Sequence, residues 1–308
     1  MLIALRAGTI LGLTLFITTS YAQMTFPWTR HTIDNTSFGA DGTKTYFANQ
    51  DSLPDIISGW EQGGITRLYL HPGTPTQKWP YVEVKSPAVE DALLADLDED
   101  GFPDIITFSE GQHQRITIHW APNDWQQYQQ SSAWESVDIP CTVDYTQWMF
   151  GVAHQVDGKY GLDLIVGSKN ENGTLGWLES PANPREIDQW QFYEISPAGW
   201  IMSIETVDVN QDDYSDILIS DRKGANRGVR WLEHPAEPEK LRAQWSNHII
   251  GLTQGEPMFL TMITDPQEEI TNIYVPNLSN HIIHFASTSD SWTQDGITFP
   301  SAAGTRGK

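Results

Sequence analysis

Beyond residue 30 the chain is built from short stretches in which apolar and polar residues alternate, with Gly, Asn, Asp or Pro at the breaks; Gly228-Val229-Arg230-Trp231-Leu232 and His248-Ile249-Ile250 are examples. A period of two places every second side chain on one face of an extended strand, so these stretches predict half-buried β-strands. No stretch reads as a long amphipathic helix. Three markers recur among the strands in fixed order. The first is an acidic loop ending in Asp and an aliphatic pair: Asp55-Ile56-Ile57, Asp104-Ile105-Ile106, Asp163-Leu164-Ile165 and Asp216-Ile217-Leu218, with a worn copy at Asn272-Ile273-Tyr274. The second is an aromatic strand running into proline, as in His119-Trp120-Ala121-Pro122, Trp177-Leu178-Glu179-Ser180-Pro181 and Trp231-Leu232-Glu233-His234-Pro235. The third is a Trp with an aliphatic residue five positions on, at Trp28, Trp79, Trp134, Trp190, Trp245 and Trp292.

The markers return every 47–59 residues. That length suits a four-stranded repeat and exceeds the ~40–45 residues of a WD40 unit. A β-sandwich does not repeat three ordered markers, so the pattern predicts an all-β propeller of four-stranded blades. Residues 23–308 read as one domain, with units near 34–84, 85–139, 140–195, 196–250 and 251–297. The 13 Trp residues then belong mostly to blade cores. Five acidic-loop units stand against six Trp markers. The surplus marker at Trp28 predicts a strand that completes a last blade, and hence a six- or seven-bladed ring of which this sequence is a truncated part; a closed five-bladed ring with one surplus strand is the competing expectation.

Composition narrows the setting. Arg6, the apolar run Ala7–Ile17 and Ser20-Tyr21-Ala22 read as a signal peptide over 1–22, cleaved before Gln23, with an apolar run too short for a membrane span. The expected location is therefore extracellular or periplasmic, with no membrane span once the signal is removed. Cys141 is the single cysteine, so no disulfide within the chain holds the loops. A formal charge of −22 argues against nucleic acid as a partner and is compatible with bound divalent cations.

The acidic loops supply the candidate metal chemistry. In Asp96-Leu97-Asp98-Glu99-Asp100-Gly101-Phe102-Pro103-Asp104, oxygen ligands fall at positions 1, 3, 5 and 9, with the Phe102 carbonyl at position 7 and a turn-forming glycine at position 6. Four carboxylates on so short a turn repel one another unless a hard dication joins them. The second good copy uses Asp208, Asn210, Asp212, the Tyr214 carbonyl and Asp216, with Asp213 in the glycine position, which predicts weaker binding. The other loops are degraded: Phe47 opens the first, Lys159 occupies the third, and Pro266 interrupts the fifth. The expected cofactor is calcium.

These loops, the aliphatic pair that follows and the spacing resemble FG-GAP/VCBS repeats of the integrin α kind over roughly residues 40–285, with Phe150-Gly151-Val152-Ala153 close to the repeat opening. The GAP tripeptide is absent and a Trp-Leu-Glu-x-Pro strand replaces it, which marks a divergent branch. The resemblance implies that each calcium loop joins the first two strands of a blade. It also implies that the connections between second and third strands gather with the inter-blade segments on the opposite face.

On that face four cations fall within nine residues, Arg222, Lys223, Arg227 and Arg230, and Lys169 holds the equivalent place one repeat earlier. Arg and Lys suit carboxylates, sulfates and phosphates, and Trp148 and Trp200 offer rings that stack on sugars. Lys169, Asn170, Trp200, Arg222, Lys223 and Arg227 are therefore the candidate ligand residues, for an extracellular glycan, anionic in character, or a protein. Two classes follow: a binding or adhesion module, and a polysaccharide lyase in which Lys169, Arg222 and Lys223 neutralise a uronate while His154 or Tyr160 takes the proton. No motif marks a nucleophile, a catalytic zinc site or a phosphate loop.

Overall fold

The computed structural model describes residues 29–265, 270–277, 281–287 and 291–298. The signal segment, Trp28 and the centre of the fifth acidic loop lie outside the described residues. All the sheets belong to one unit that begins at Ile33.

Among the described residues, twenty strands form five antiparallel sheets, each a four-stranded meander in chain order. The first comprises β1 (Ala40–Tyr46), β2 (Asp55–Trp60), β3 (Ile65–Tyr69) and β4 (Tyr81–Lys85). The second comprises β5 (Val89–Ala95), β6 (Asp104–Ser109), β7 (Arg115–Trp120) and β8 (Glu135–Asp138). The third comprises β9 (Gln147–His154), β10 (Asp163–Lys169), β11 (Thr174–Glu179) and β12 (Gln191–Pro197). The fourth comprises β13 (Ile201–Val207), β14 (Asp216–Asp221), β15 (Gly228–Glu233) and β16 (Ser246–Gly251), and the fifth β17 (Thr261–Asp265), β18 (Ile270–Asn277), β19 (His281–Ser287) and β20 (Trp292–Thr298). The apolar core lies as slabs between consecutive sheets. Leu68 meets Leu94 between the first pair, Phe108 meets Val166 between the second, Trp177 meets Ile219 between the third, and Leu218 meets Phe285 between the fourth. The first strands β1, β5, β9 and β13 pack in succession. This is a propeller-like arrangement of blades.

The recurring markers have physical reasons. Each loop-closing Asp is buried and binds two distant main-chain N–H groups. Asp55 accepts from Ala48 N and His71 N, both at 2.8 Å. Asp104 accepts from Leu97 N at 3.2 Å and Ala121 N at 2.8 Å. Asp163 accepts from Val156 N at 2.8 Å and Ser180 N at 2.9 Å, and Asp216 from Val209 N at 2.9 Å and His234 N at 2.8 Å. One carboxylate thus pins the end of the first strand and the end of the third to the start of the second. In the first four sheets the Trp before the fourth strand is also buried, and its indole N–H closes the preceding connection. Trp79 donates to the Pro75 carbonyl at 3.1 Å, Trp134 to Tyr128 at 2.8 Å, Trp190 to Pro184 at 2.9 Å and Trp245 to Leu241 at 3.0 Å.

Near its beginning, each of four first strands breaks register with its neighbour. The breaks lie between Asp41 and Lys44, between Val89 and Asp91, opposite Gly167/Ser168 between Trp148 and Phe150, and between Ile201 and Ser203. A bulge bends the strand and re-aims the residue it inserts. The inserted residues include Glu90, and the breaks fall on the side of the sheets away from the acidic loops.

Candidate functional site

The sheet connections sort into two faces. Loops 47–54, 96–103, 155–162 and 208–215 join first to second strands at one end. At the other end lie the connections between second and third strands and the segments between sheets.

On the first face the Asp96 and Asp208 loops share one hydrogen-bond pattern. Asp96 accepts from Asp100 N at 3.1 Å and Gly101 N at 2.9 Å, and Asp100 accepts from Phe102 N at 2.9 Å. Asp208 accepts from Asp212 N at 3.1 Å and Asp213 N at 3.0 Å, and Asp212 accepts from Tyr214 N at 2.9 Å. Asp213 occupies the glycine position with φ of 71°, in the left-handed region, as does Gly101 at 88°. The loops differ in their readiness for a cation. Asp96, Asp98 and Asp104 bring one carboxylate oxygen each within 4.8 Å of one another. Asp98 Oδ1 is buried there without a hydrogen-bond partner. Burial, with backbone hydrogen bonds opposing it and the Asp98 charge adding to it, raises Asp104 to about 8. This donor set fits a hard cation. In the second loop Asn210 turns its amide N–H onto Asp212 at 3.0 Å, an internal bond that partly replaces a cation. No motif marks Arg185, which reaches from the connection before β12 to Asp98 at 2.5 Å and lies over Trp120. Asp104 and Asp216, read from the sequence as ninth-position ligands, also serve as the main-chain pins described above.

The second face gathers charges from every sheet. Lys169, at the end of β10, bonds Glu90 Oε1 at 3.1 Å and pairs with Glu110. Glu61, Glu90 and Glu110 bring their carboxylates within 4.8 Å of one another. Burial raises Glu90 to about 7, against the lowering effect of Lys169. The half-buried ring of Trp200 has three cations against it: Lys223 Nζ at 4.4 Å from its centroid, Lys169 Nζ at 4.6 Å and the Arg222 guanidinium at 4.9 Å. Arg222 also reaches Glu256 at 3.1 Å, just ahead of the fifth sheet.

The structure therefore brings together Lys169, Trp200, Arg222 and Lys223. Asn170 caps the turn after β10 with φ of 75°, and Arg227 stands apart, donating to the Thr253 carbonyl at 2.9 Å. Three sequence expectations need correction. Lys169 is a buried, paired cation, because the bulge at Glu90 delivers a carboxylate to it. Arg230 is 1% exposed and bonds Asp221 at 3.2 Å, so it is no part of a surface patch. Trp148 is wholly buried, its N–H on the Thr142 carbonyl at 2.9 Å, and cannot stack on a sugar. His154 and Tyr160 lie at the acidic-loop end of the third sheet. In the β9–β10 ladder Asp163 faces His154 and Lys169 faces Gln147, so six residues of strand, roughly 20 Å, separate the lyase base candidates from the cations. Glu90 escaped the sequence reading; its one signal was two consecutive acids, Glu90-Asp91, opening an otherwise apolar strand.

No family model matches the chain, and no curated protein matches it. Among solved structures, the chain is similar to the NanB sialidase from Streptococcus pneumoniae, solved in complex with 2-[(3-chlorobenzyl)ammonio]ethanesulfonate, at 10% identity and a TM-score of 0.44 over 72% of this chain. The match spans 32% of the sialidase, about a third of its length. It is also similar to a triple mutant of AofleA from Arthrobotrys oligospora, at 11% identity and a TM-score of 0.31, covering 85% of this chain and 87% of the other.

Proposed function

We propose that this chain is an extracellular, calcium-stabilised binding propeller of FG-GAP/VCBS type, and that the face around Trp200 takes an anionic glycan. The observation that carries the reading is the convergence of Lys169, Arg222 and Lys223 on one half-exposed indole. A sugar ring stacks on such a surface, and a uronate or sulfate beside the ring meets cations already placed. Lys223 has no carboxylate partner among the described residues, so it is the cation free to take the ligand's charge. Arg222 can exchange Glu256 for it, while Lys169 stays with Glu90 and Glu110 behind the ring. Calcium, when bound, would join Asp96, Asp98, Asp100 and Asp104 with the Phe102 carbonyl and hold that loop, the role disulfides fill in other exported proteins. The second loop, through Asp208, Asn210, Asp212, Asp216 and the Tyr214 carbonyl, would bind more weakly. Binding is favoured over the lyase reading because its two base candidates, His154 and Tyr160, stand at the far end of the third sheet, roughly 20 Å of strand from the cations.

Calorimetric titration with polygalacturonate and chondroitin sulfate, against neutral xylan, tests this. Binding of an acidic polymer is expected, weakened about tenfold or more by Trp200→Ala and by Lys223→Ala, with flat absorbance near 235 nm. Equal binding of xylan, or none of any polymer, overturns the reading; rising absorbance turns it into a lyase.

A further inference from the structure

Beneath the Trp200 face, the bulged first strands enclose a cavity of about 500 Å³ that this function leaves unused. Lys44 of β1, Asp91 of β5, Phe150 of β9, Ser203 and Glu205 of β13, and Phe259 ahead of β17 line it. Its charge is the reverse of the face above: Asp41, Asp91 and Glu205 stand against the single ammonium of Lys44. That ammonium is already spent on Asp91 Oδ2 at 2.5 Å and on the Gly151 carbonyl at 3.2 Å. Asp91 is wholly buried, and its other oxygen, Oδ1, has no hydrogen-bond partner. Glu205 makes no hydrogen bond or ion pair among the described residues. Burial pushes both carboxyls up, Asp91 to about 6, against the lowering effect of the Lys44 charge on each.

The chemistry of an occupant follows. An anion meets net negative charge and a committed lysine. A neutral polyol leaves the surplus carboxylates uncompensated, and an unmet buried acceptor is costly. A calcium ion requires six to eight oxygens, whereas Phe150, Phe259, Met202 and Leu260 supply much of this wall; the two Phe rings meet edge to face at 5.8 Å. A cation carrying its own hydrocarbon or sugar skeleton satisfies both parts, with N–H donors for the Glu205 carboxylate, positive charge beside the buried Asp91, and apolar carbons for the rings. The volume suits a small molecule. We propose that this cavity between the first strands binds a small organic amine in its ammonium form. The inference does not rest on the glycan reading.

The test is calorimetry on the full chain with matched pairs: cyclohexylamine against cyclohexanol, and glucosamine against glucose. Each amine is expected to bind at least tenfold more tightly than its neutral partner. Glu205→Gln, a partly exposed position, is expected to remove most of that preference with the melting temperature unchanged, while Lys223→Ala leaves it intact. Asp91→Asn is a second variant, used only if its melting curve stays cooperative. Equal binding of amine and alcohol, no binding of either in the millimolar range, or amine binding indifferent to Glu205→Gln would show a solvent-filled channel and overturn the proposal. Acidic-polymer binding measured in parallel separates this outcome from failure of the glycan site.

Discussion

Lys159 sets its ammonium 2.6 Å from the carboxylate of Asp157, inside the third acidic loop. Lys159 comes from position 5 of its own loop, so it replaces a ligand as well as pairing Asp157; Arg185 reaches Asp98 from outside its loop and leaves Asp98 Oδ1 without a partner. The two loops therefore answer differently to calcium. Withdrawal of calcium by a chelator is expected to lower the melting temperature through the Asp96 loop. A site with an extracellular affinity of ~10⁻⁴ M in millimolar calcium adds about 1.4 kcal/mol, a shift of a few degrees in a chain of this size. Asp98→Asn should abolish most of that shift and Asp157→Asn should leave it untouched. Thermal scans that show no calcium dependence in the wild type would refute the ligand assignment.

The pinning aspartates make a separate demand on stability. Asp163→Ala strands the main-chain N–H groups of Val156 and Ser180 in a buried setting. Each unmet donor costs about 1–3 kcal/mol, so a loss of about 2–6 kcal/mol is expected, equal with and without calcium. Urea titration reads it. A loss below about 1 kcal/mol would mean that water or the backbone replaces the carboxylate without difficulty.

His119 is buried between Thr107 and Ser136, its ring nitrogens at 3.1 and 2.7 Å from their hydroxyls. Burial, opposed by the Asp138 charge, lowers it from 6.5 to about 4. Above pH 6.5 both folded and unfolded chains hold it neutral, and it adds no pH dependence. Between pH 6.5 and 4 the unfolded chain takes a proton that the native ring refuses, so stability falls as pH falls, by about 3 kcal/mol in full. His119→Gln should remove this slope. Denaturation midpoints of wild type and variant that run parallel from pH 7 to 4 would show that the ring is protonated in the native state.

Glycines set the distance between sheets. A Cβ at Gly151 would lie about 2.1 Å from the Phe108 ring, and one at Gly167 about 2.7 Å from Ile201, the matching contact one sheet later. Gly151→Ala is expected to cost about 1–3 kcal/mol through overpacking. Phe108→Leu in the same chain should recover part of the loss, a coupling that a double-mutant cycle measures directly. Strict additivity of the two changes would place the strain elsewhere.

The parts of the molecule legible in the sequence are those fixed by local rules repeated along the chain. The alternating strands, the Asp that begins each second strand and the Trp that precedes each fourth all recur because each sheet solves the same packing problem alone. What escaped depends on contacts between sheets. Glu90 is delivered to Lys169 by a bulge, and a bulge inserts a residue without a fixed residue-type signature. Arg185 reaches Asp98 across 87 positions of chain, a separation no motif spans. Trp148 and Trp200 look alike in the sequence, each just before or at the start of a first strand. The bulge opposite Gly167/Ser168 follows Trp148, whose ring turns inward against Phe192, while Trp200 remains at the surface beneath three cations. Charge pattern alone made a basic patch of Arg222 to Arg230, because Asp221, which neutralises Arg230, is read as loop acid until the β14–β15 ladder places them together.

A residue with two employments lets a tandem array age unevenly. The ninth-position aspartate ties distant strand ends together whether or not an ion is present, whereas the residues at positions one, three and five bond only within their own loop or, like Asp98, to a side chain from outside it. Copies can therefore drift apart in their mineral requirement while their architecture stays fixed. Asp55 and Asp163 keep their pins beside Phe47 and Lys159, residues no metal loop would choose. A repeat that loses its ion ligands in this way still keeps its strand ends tied, so the architecture does not hang on any one loop holding a metal.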